Sequence, residues 1–493
     1  MAGKTERRAY SHIMKYTGLF GGVQFLAISI ALVRNKIVAM LLGPGGIGLM
    51  SLLNSYSKMV SDSTMLGLPM SAVRGISEAY GCGDRERKAG AVAAIRSWSL
   101  VTAALGAAVC LLAGPLLNTA SFSWGDHTLH FMLLAPAVAF TALTGGELAI
   151  LKGTRRLRDI AVQSVAGTMG VLVATTPLFY IWGEAAIVPS IVIAAAVAFA
   201  AVGVFSYKLY PLRGTVGAAG LAGGKPMVKL GLSFLGAGVL GSGADLFLRS
   251  YLNNAHSLDT VGLFNAGYVI CTTFGGLVFS ALETDFFPRL SAAGGTVDEL
   301  NSVVNRQIEV SLLLAAPFTA ALVLSLPVLV PLMYTADFSP AEGMVACAAL
   351  SIFLKSIALP VAYIPLAKGH SRVYLAMEAA SDAAMVAMGV AGFRLGGIAG
   401  LGAGLSAAVA ADLALYCAYF RVRYGFRLSG SVVKYAALHS PVLVGMAALG
   451  LFADGWAYWA AGAALLAAGA AISVHILRGK TRLWQALMKR FRR

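Results

Sequence analysis

Apolar runs of about 20 residues recur from one end of this chain to the other, each long enough to cross roughly 30 Å of hydrocarbon as a helix. In such a medium the spanning structure must satisfy every backbone N–H and C=O itself, which leaves helices or a closed barrel. A barrel would show segments of about ten residues with alternating polarity, and the runs do not alternate. The expectation is an all-α polytopic membrane protein. A soluble core does not account for 58% hydrophobic and 12% charged residues over 493 positions.

Read in order, the runs give about fourteen spans: 14–42, 47–73, 91–114, 129–151, 160–182, 186–207, 230–252, 261–287, 308–333, 343–367, 375–395, 398–420, 435–453 and 456–477. Most of the 38 Lys and Arg fall in alternate loops, and the other loops hold only Arg394. The positive-inside rule then places both termini in the cytoplasm. The net charge of +16 follows from this topology and from attraction to anionic lipid, so no nucleic-acid partner is implied. The tail RGKTRLWQALMKRFRR, residues 478–493, reads as a basic cytoplasmic segment with the pattern of a short surface helix. The basic amino terminus does not read as a cleaved signal peptide, because its apolar stretch is too long. Cys82 lies in a predicted cytoplasmic loop and the other four cysteines lie in spans, so no disulfide framework is expected.

The chain repeats itself. Arg34 in FLAISIALVRNKIVAMLLG returns as Arg249 in GSGADLFLRSYL, and Gly48-Leu49 returns as Gly262-Leu263. Lys152-Gly153 with Arg156 returns as Lys368-Gly369 with Arg372. This spacing holds an even number of spans, so the halves enter the membrane in the same sense, related by an axis along its normal. Residues 1–207 form a predicted six-span lobe and 230–420 a second. Between them, KLYPLRGTVGAAGLAGGKPMVK reads as a flexible cytoplasmic linker over 208–229. Two extra spans within 421–477 have no counterpart in the repeat and are expected to pack outside the bundle or against lipid.

Charges inside apolar spans need a reason, since a cation at a helix centre costs about 2.5–3.5 kcal/mol. Lys355 sits mid-span, about 18 Å from either surface at 1.5 Å per residue, too far to snorkel easily. A water-filled lumen or a buried ion pair would explain it, and the lumen is the reading taken. Arg34 and Lys36 could snorkel outward, but the recurrence at Arg249 favours lumenal cations in both halves. Lys58 joins this set, although Asp62 four residues on can neutralise it. Arg96 reads as structural, and Glu147 as a partner for Lys152. The acids Asp245, Glu378, Asp382 and Asp412 are candidates to couple transport to Na⁺ or H⁺, because carboxylate oxygens suit hard cations and burial favours a held proton. For Asp245 the rival reading is simple pairing with Arg249. Glu283 and Asp285 are expected to pair with Arg289.

No catalytic set is evident. The seven histidines are scattered without an HExxH, GGKPM has Pro where a Walker motif needs Ser or Thr, and the loops placed outside are too short for a polysaccharide polymerase or ligase. The run LLGPGGIGLMSLLNSY after a charged first helix resembles the opening of the O-antigen and polysaccharide-repeat flippases, of the multidrug, oligosaccharidyl-lipid and polysaccharide exporter superfamily. KGxxR after span 4 and again after span 10, with fourteen spans in two lobes, fits the same family. The resemblance implies a V-shaped alternating-access transporter in the bacterial inner membrane. It would carry an undecaprenyl-diphosphate-linked sugar repeat, work beside polysaccharide polymerase machinery and need no cofactor beyond a possible coupling ion. Related lipid II flippases place lumenal arginines on span 1, where Arg34 lies, and a Na⁺ site among spans 7, 11 and 12, where Asp245 and Asp382 lie. A multidrug or cation antiporter of the same fold is the alternative.

Overall fold

The structure, a computed structural model, describes residues 2–480 apart from 82–83, 122–125, 212–215 and 293–295. Cys82 and most of the basic tail therefore lie outside the described residues, as do the side chains of Glu283 and Asp285. Among the described residues no strand occurs. Ten helical runs are long and apolar enough to cross a membrane, and an eleventh if the bent pair Ala218–Leu232 and Leu235–Ala255 is one span. Three of the ten, Leu26–Thr64, Leu157–Leu209 and Ser371–Tyr424, are 39, 53 and 54 residues long, about twice what a bilayer needs. Each breaks near its middle, at Gly43, at the 3₁₀ turn Gly183–Ala186, and at Gly396-Gly397. Each half corresponds to one predicted span, except that the span predicted over 47–73 is broken by a turn at 65–67, after which a separate helix, Leu68–Gly81, begins.

The chain forms two compact units, Met1–Gly262 and Leu263–Arg493. The first is built from α1 (Ala2–Thr64), α2 (Leu68–Gly81), α3 (Arg85–Ser121), α4 (Thr128–Leu133), α5 (Ala135–Gly153), α6 (Leu157–Trp182), α7 (Ile187–Leu209) and α8 (Ala218–Ala255), and it ends in the first residues of α9 (Leu258–Ala292). α1 kinks at Gly43, where φ is +63°, and Pro44 follows without an amide hydrogen to continue the ladder. α3 packs on α5 and α8, and α1 on α6 and α8. Tyr56 is fully buried, its ring edge-on to Phe131 at 4.7 Å, and its hydroxyl donates to the Cys110 carbonyl at 3.3 Å.

Two expectations change here. The linker is not free along its length: from Ala218 it is helical and docked on α3. Trp98 Nε1 donates to the Leu221 carbonyl at 3.0 Å, and Ser97 Oγ accepts from the Gly217 amide at 3.2 Å. Gly220 and Gly224, one turn apart, lie directly against Ser97 and Trp98, so the composition that suggests flexibility instead permits close helix contact. Glu147 does not pair with Lys152. It takes Arg96, with Nε to Oε1 at 2.8 Å, both side chains about 95% buried at 4% and 5% exposure. Ser206 Oγ donates to the same carboxylate, and Arg96 Nη2 donates to the Tyr210 carbonyl at 2.8 Å. The pair thus ties α3, α5 and the carboxyl end of α7 together, where backbone carbonyls lack helical partners.

The second unit takes the rest of α9 with α10 (Val297–Met333), α11 (Ala341–Ala348), α12 (Leu350–Ala362), α13 (Ile364–Ala367), α14 (Ser371–Tyr424), α15 (Gly430–Phe452) and α16 (Gly455–Lys480). α14 is a hairpin. Gly397 adopts φ +58°, which a side chain would resist, and the returning arm passes so close that the Gly392 and Gly400 backbones touch. The hairpin packs on α11 and α12, and on the returning arm Ser406 Oγ donates to the Cys347 carbonyl at 2.7 Å. The pair α15–α16 packs on α10. Its connection is clamped by two asparagines. Asn301 accepts from the Arg427 amide at 2.8 Å and donates to the Gly425 carbonyl at 3.2 Å. Asn305 accepts from the Ser429 amide at 2.7 Å and donates to the Arg427 carbonyl at 2.8 Å.

Candidate functional site

The apolar helices hold two groups of charged and polar side chains, one in each unit. In the first, Asp245 on α8 accepts from Ser55 Oγ on α1 at 2.6 Å and from Arg249 Nε at 3.0 Å. Arg249 is held one turn along the same helix with 6% of its side chain exposed. Nearby on α1, Lys58 Nζ meets Asp62 at 2.6 Å with 63% of the lysine side chain exposed. Ser55, Lys58 and Asp62 follow the i, i+3, i+7 spacing of one helix face, which gives that face its polarity. Two of the proposed lumenal cations, Arg249 and Lys58, therefore have acidic partners in this state.

Arg34 does not. Its Nε is buried and no hydrogen-bond acceptor reaches it among the described residues. A buried guanidinium donor left open costs free energy, typically about 1–3 kcal/mol and more for a charged group. Something has to compensate, and an anion arriving at that position would. Lys36, two residues on, is half-buried on the same arm.

In the second unit the α14 hairpin collects the acids. Its first arm carries Glu378, Ser381 and Asp382, and its second Asp412 and Tyr416. Ser381 Oγ and Tyr416 Oη are 2.6 Å apart, with Asp412 close to Ser381. Tyr374 precedes Glu378 by one turn on the same arm and lies within its electrostatic range. Asp382 is within electrostatic range of both Glu378 and Asp412, yet its Oδ2 is buried with no partner. Lys355 on α12 is exposed and stands within electrostatic range of Asp412, and also of Cys271 on α9. Three neighbouring carboxylates, with a lysine in range of Asp412, leave an excess of negative charge that a proton or a small cation would offset. Among the described residues no three acidic, His or Cys side chains converge closely enough to cage a metal ion.

Three of the four coupling candidates, Glu378, Asp382 and Asp412, are thus neighbours, and the fourth, Asp245, sits in the first unit's cluster. Sequence reasoning missed Ser55, Tyr374, Ser381 and Tyr416, the neutral groups beside the acids. Ser55 could have been found from the shared helix face with Lys58, and Ser381 from its place beside Asp382.

Comparison with solved structures places this fold among known transporters. The structure of lipid II flippase MurJ in an inward closed conformation superposes with a TM-score of 0.69 at 14% identity, over 93% of this chain and 99% of that one. An inward-facing multidrug resistance MATE family transporter of the MOP superfamily gives 0.67 at 15% identity, over 82% and 95%. A MOP superfamily transporter from Pyrococcus furiosus, whose binding pocket is described as having reverse polarity, gives 0.56 at 15% identity, over 82% and 94%. No curated protein matches significantly by sequence. Residues 13–293, more than half of the chain, match the family described as Polysaccharide biosynthesis protein. This multi-pass membrane protein shares the fold of the MOP superfamily transporters and belongs to the polysaccharide biosynthesis protein family.

Proposed function

We propose that the protein is a flippase for undecaprenyl-diphosphate-linked oligosaccharide repeats, moving them from the inner to the outer leaflet of the bacterial inner membrane by alternating access between residues 1–207 and 230–420. Both termini are cytoplasmic on this reading, as the distribution of Lys and Arg requires. The observation that carries it is the buried Nε of Arg34, which no acceptor reaches among the described residues, in a chain of this family. A diphosphate brings charge that hydrocarbon rejects, and a guanidinium matches its oxygens in pairs. Lys36, Lys58, Arg249 and Lys355 add positive potential, with Asp62 the counter-ion of Lys58 and Asp245 that of Arg249.

Coupling runs through the second unit. Asp382 carries a proton, or Asp412 with the Ser381 and Tyr416 oxygens holds Na⁺, and release of either resets the transporter. Polysaccharide polymerase machinery is the expected recipient of the flipped repeat. The excess of carboxylates on α14 favours a second reading, a multidrug or cation antiporter, which would bind cations there. Cells lacking the protein separate the two. Under the flippase reading, lipid-linked repeats accumulate on the inner leaflet. Under the antiporter reading, their distribution is unchanged and sensitivity to cationic drugs rises.

A further inference from the structure

The arm of α1 after Gly43 runs antiparallel to α8 and the start of α9, in one register along its length. A β-carbon placed on Gly48 would overlap the Leu258 carbonyl. Ser55 bonds Asp245 at 2.6 Å, and a β-carbon on Gly238 would stand 4.0 Å from that of Asp62. At the far end, β-carbons on Gly67 and Gly231 would overlap the Gly231 and Leu66 carbonyls respectively. The partner number falls as the first rises, so these four contacts lie on a single seam.

Its two ends are closed backbone to backbone, and its middle holds the polar group. The end at Gly48 is also reciprocal. A β-carbon on Gly262 would overlap the Pro44 carbonyl, just as one on Gly48 overlaps that of Leu258, and Gly48 and Gly262 are the pair that the internal repeat makes equivalent. A pseudo-twofold relation therefore passes through this contact. Neither end admits even a methyl group without separation, while Gly243, in the middle of α8, has open space around its β position.

We infer that the Gly48–Gly262 contact and the Gly67–Gly231 contact are two gates on one seam, parted alternately, with the outer gate at Gly48 and the cytoplasmic gate at Gly231. This rests on the alternating-access part of the reading above. Backbone contact gives each gate two discrete positions, since packed surfaces are bistable and do not yield gradually. A side chain at one gate holds that end apart and leaves the other shut.

The test uses the full chain, free of native cysteine and held in lipid nanodiscs, with two crosslinking reporters. Gly45→Cys with Asp259→Cys reports the outer end, because a β-carbon on Gly45 would lie 2.9 Å from Asp259 Oδ1. Asp62→Cys with Gly238→Cys reports the half of the seam toward the other end, because a β-carbon on Gly238 would lie 4.0 Å from that of Asp62. Gly48→Leu, and equally Gly262→Leu, should abolish the first crosslink and keep the second. Gly231→Leu should do the reverse, and Gly243→Leu should keep both. Loss of both crosslinks in Gly48→Leu or Gly231→Leu, or retention of the first in Gly48→Leu, would overturn the inference. No substrate is involved, so reciprocal crosslinking in a protein that moves no glycan would reject the flippase reading and leave the gates standing.

Discussion

Replacing Arg34 with Met tests whether this residue serves substrate or fold. The two roles carry opposite signs for stability. Among the described residues no acceptor reaches the buried Arg34 Nε. Removing an unsatisfied buried donor relieves a penalty of about 1–3 kcal/mol, and Met keeps much of the side-chain volume with flexible apolar packing. Arg34→Met should therefore stabilise the purified, substrate-free protein by about that amount. In a thermal-shift experiment in detergent this reads as a rise in the unfolding midpoint. The same variant should lose export of the glycan, because the guanidinium that would meet the diphosphate is gone. Arg34→Lys should retain part of the export, since it keeps the charge but not the fork of donors. A fall in the midpoint with Arg34→Met would refute the reasoning by showing that the guanidinium holds the fold. Unchanged export would refute it from the other side.

Three further outcomes follow from the geometry. Glu147→Gln leaves the Arg96 guanidinium buried without its counter-charge and should destabilise the protein by about 3–5 kcal/mol, whereas Arg96→Met with Glu147→Leu should recover much of that loss. Equal midpoints for wild type and Glu147→Gln would reject the buried pair. His127, just outside the span that begins at α4, faces His130 across a 3.0 Å Nδ1–Nδ1 contact, and burial, then the His130 charge, hold its pKa below the usual histidine value, against a smaller opposing pull from Asp126. The folded state thus binds the proton less well than the unfolded chain. Its contribution to stability is intact above the ordinary histidine pKa of about 6.5 and is lost as pH falls below it through the depressed folded value; His127→Asn should flatten that part of a pH–stability profile. Asp382→Asn should make glycan export insensitive to the proton gradient, and a variant that keeps the wild-type dependence would move the coupling group elsewhere.

The spans were legible because hydrocarbon leaves a chain few choices, and length with composition fixes them. The charges were legible as positions and less so as partners. Lys58–Asp62 and Asp245–Arg249 could be read from a four-residue spacing on one helix. Arg96–Glu147 could not, because 51 residues separate the two and only the packing of α3 on α5 brings them together. The linker misled for a related reason. Glycine reads as freedom in a chain and as close contact on a helix, and only the presence of Trp98 and Ser97 on the facing surface decides between the two. Asp382 is legible from its place on span 11, whereas the buried oxygen that no partner reaches among the described residues shows only in the α14 hairpin, which sets Asp412 beside it.

Reconstitution addresses the central claim most directly. Purified protein in liposomes, given a short polyprenyl-diphosphate oligosaccharide labelled on its sugar, should move that lipid to the opposite leaflet, and Arg34→Met should stop the movement. No transfer by the wild type, or equal transfer by Arg34→Met, would contradict the account.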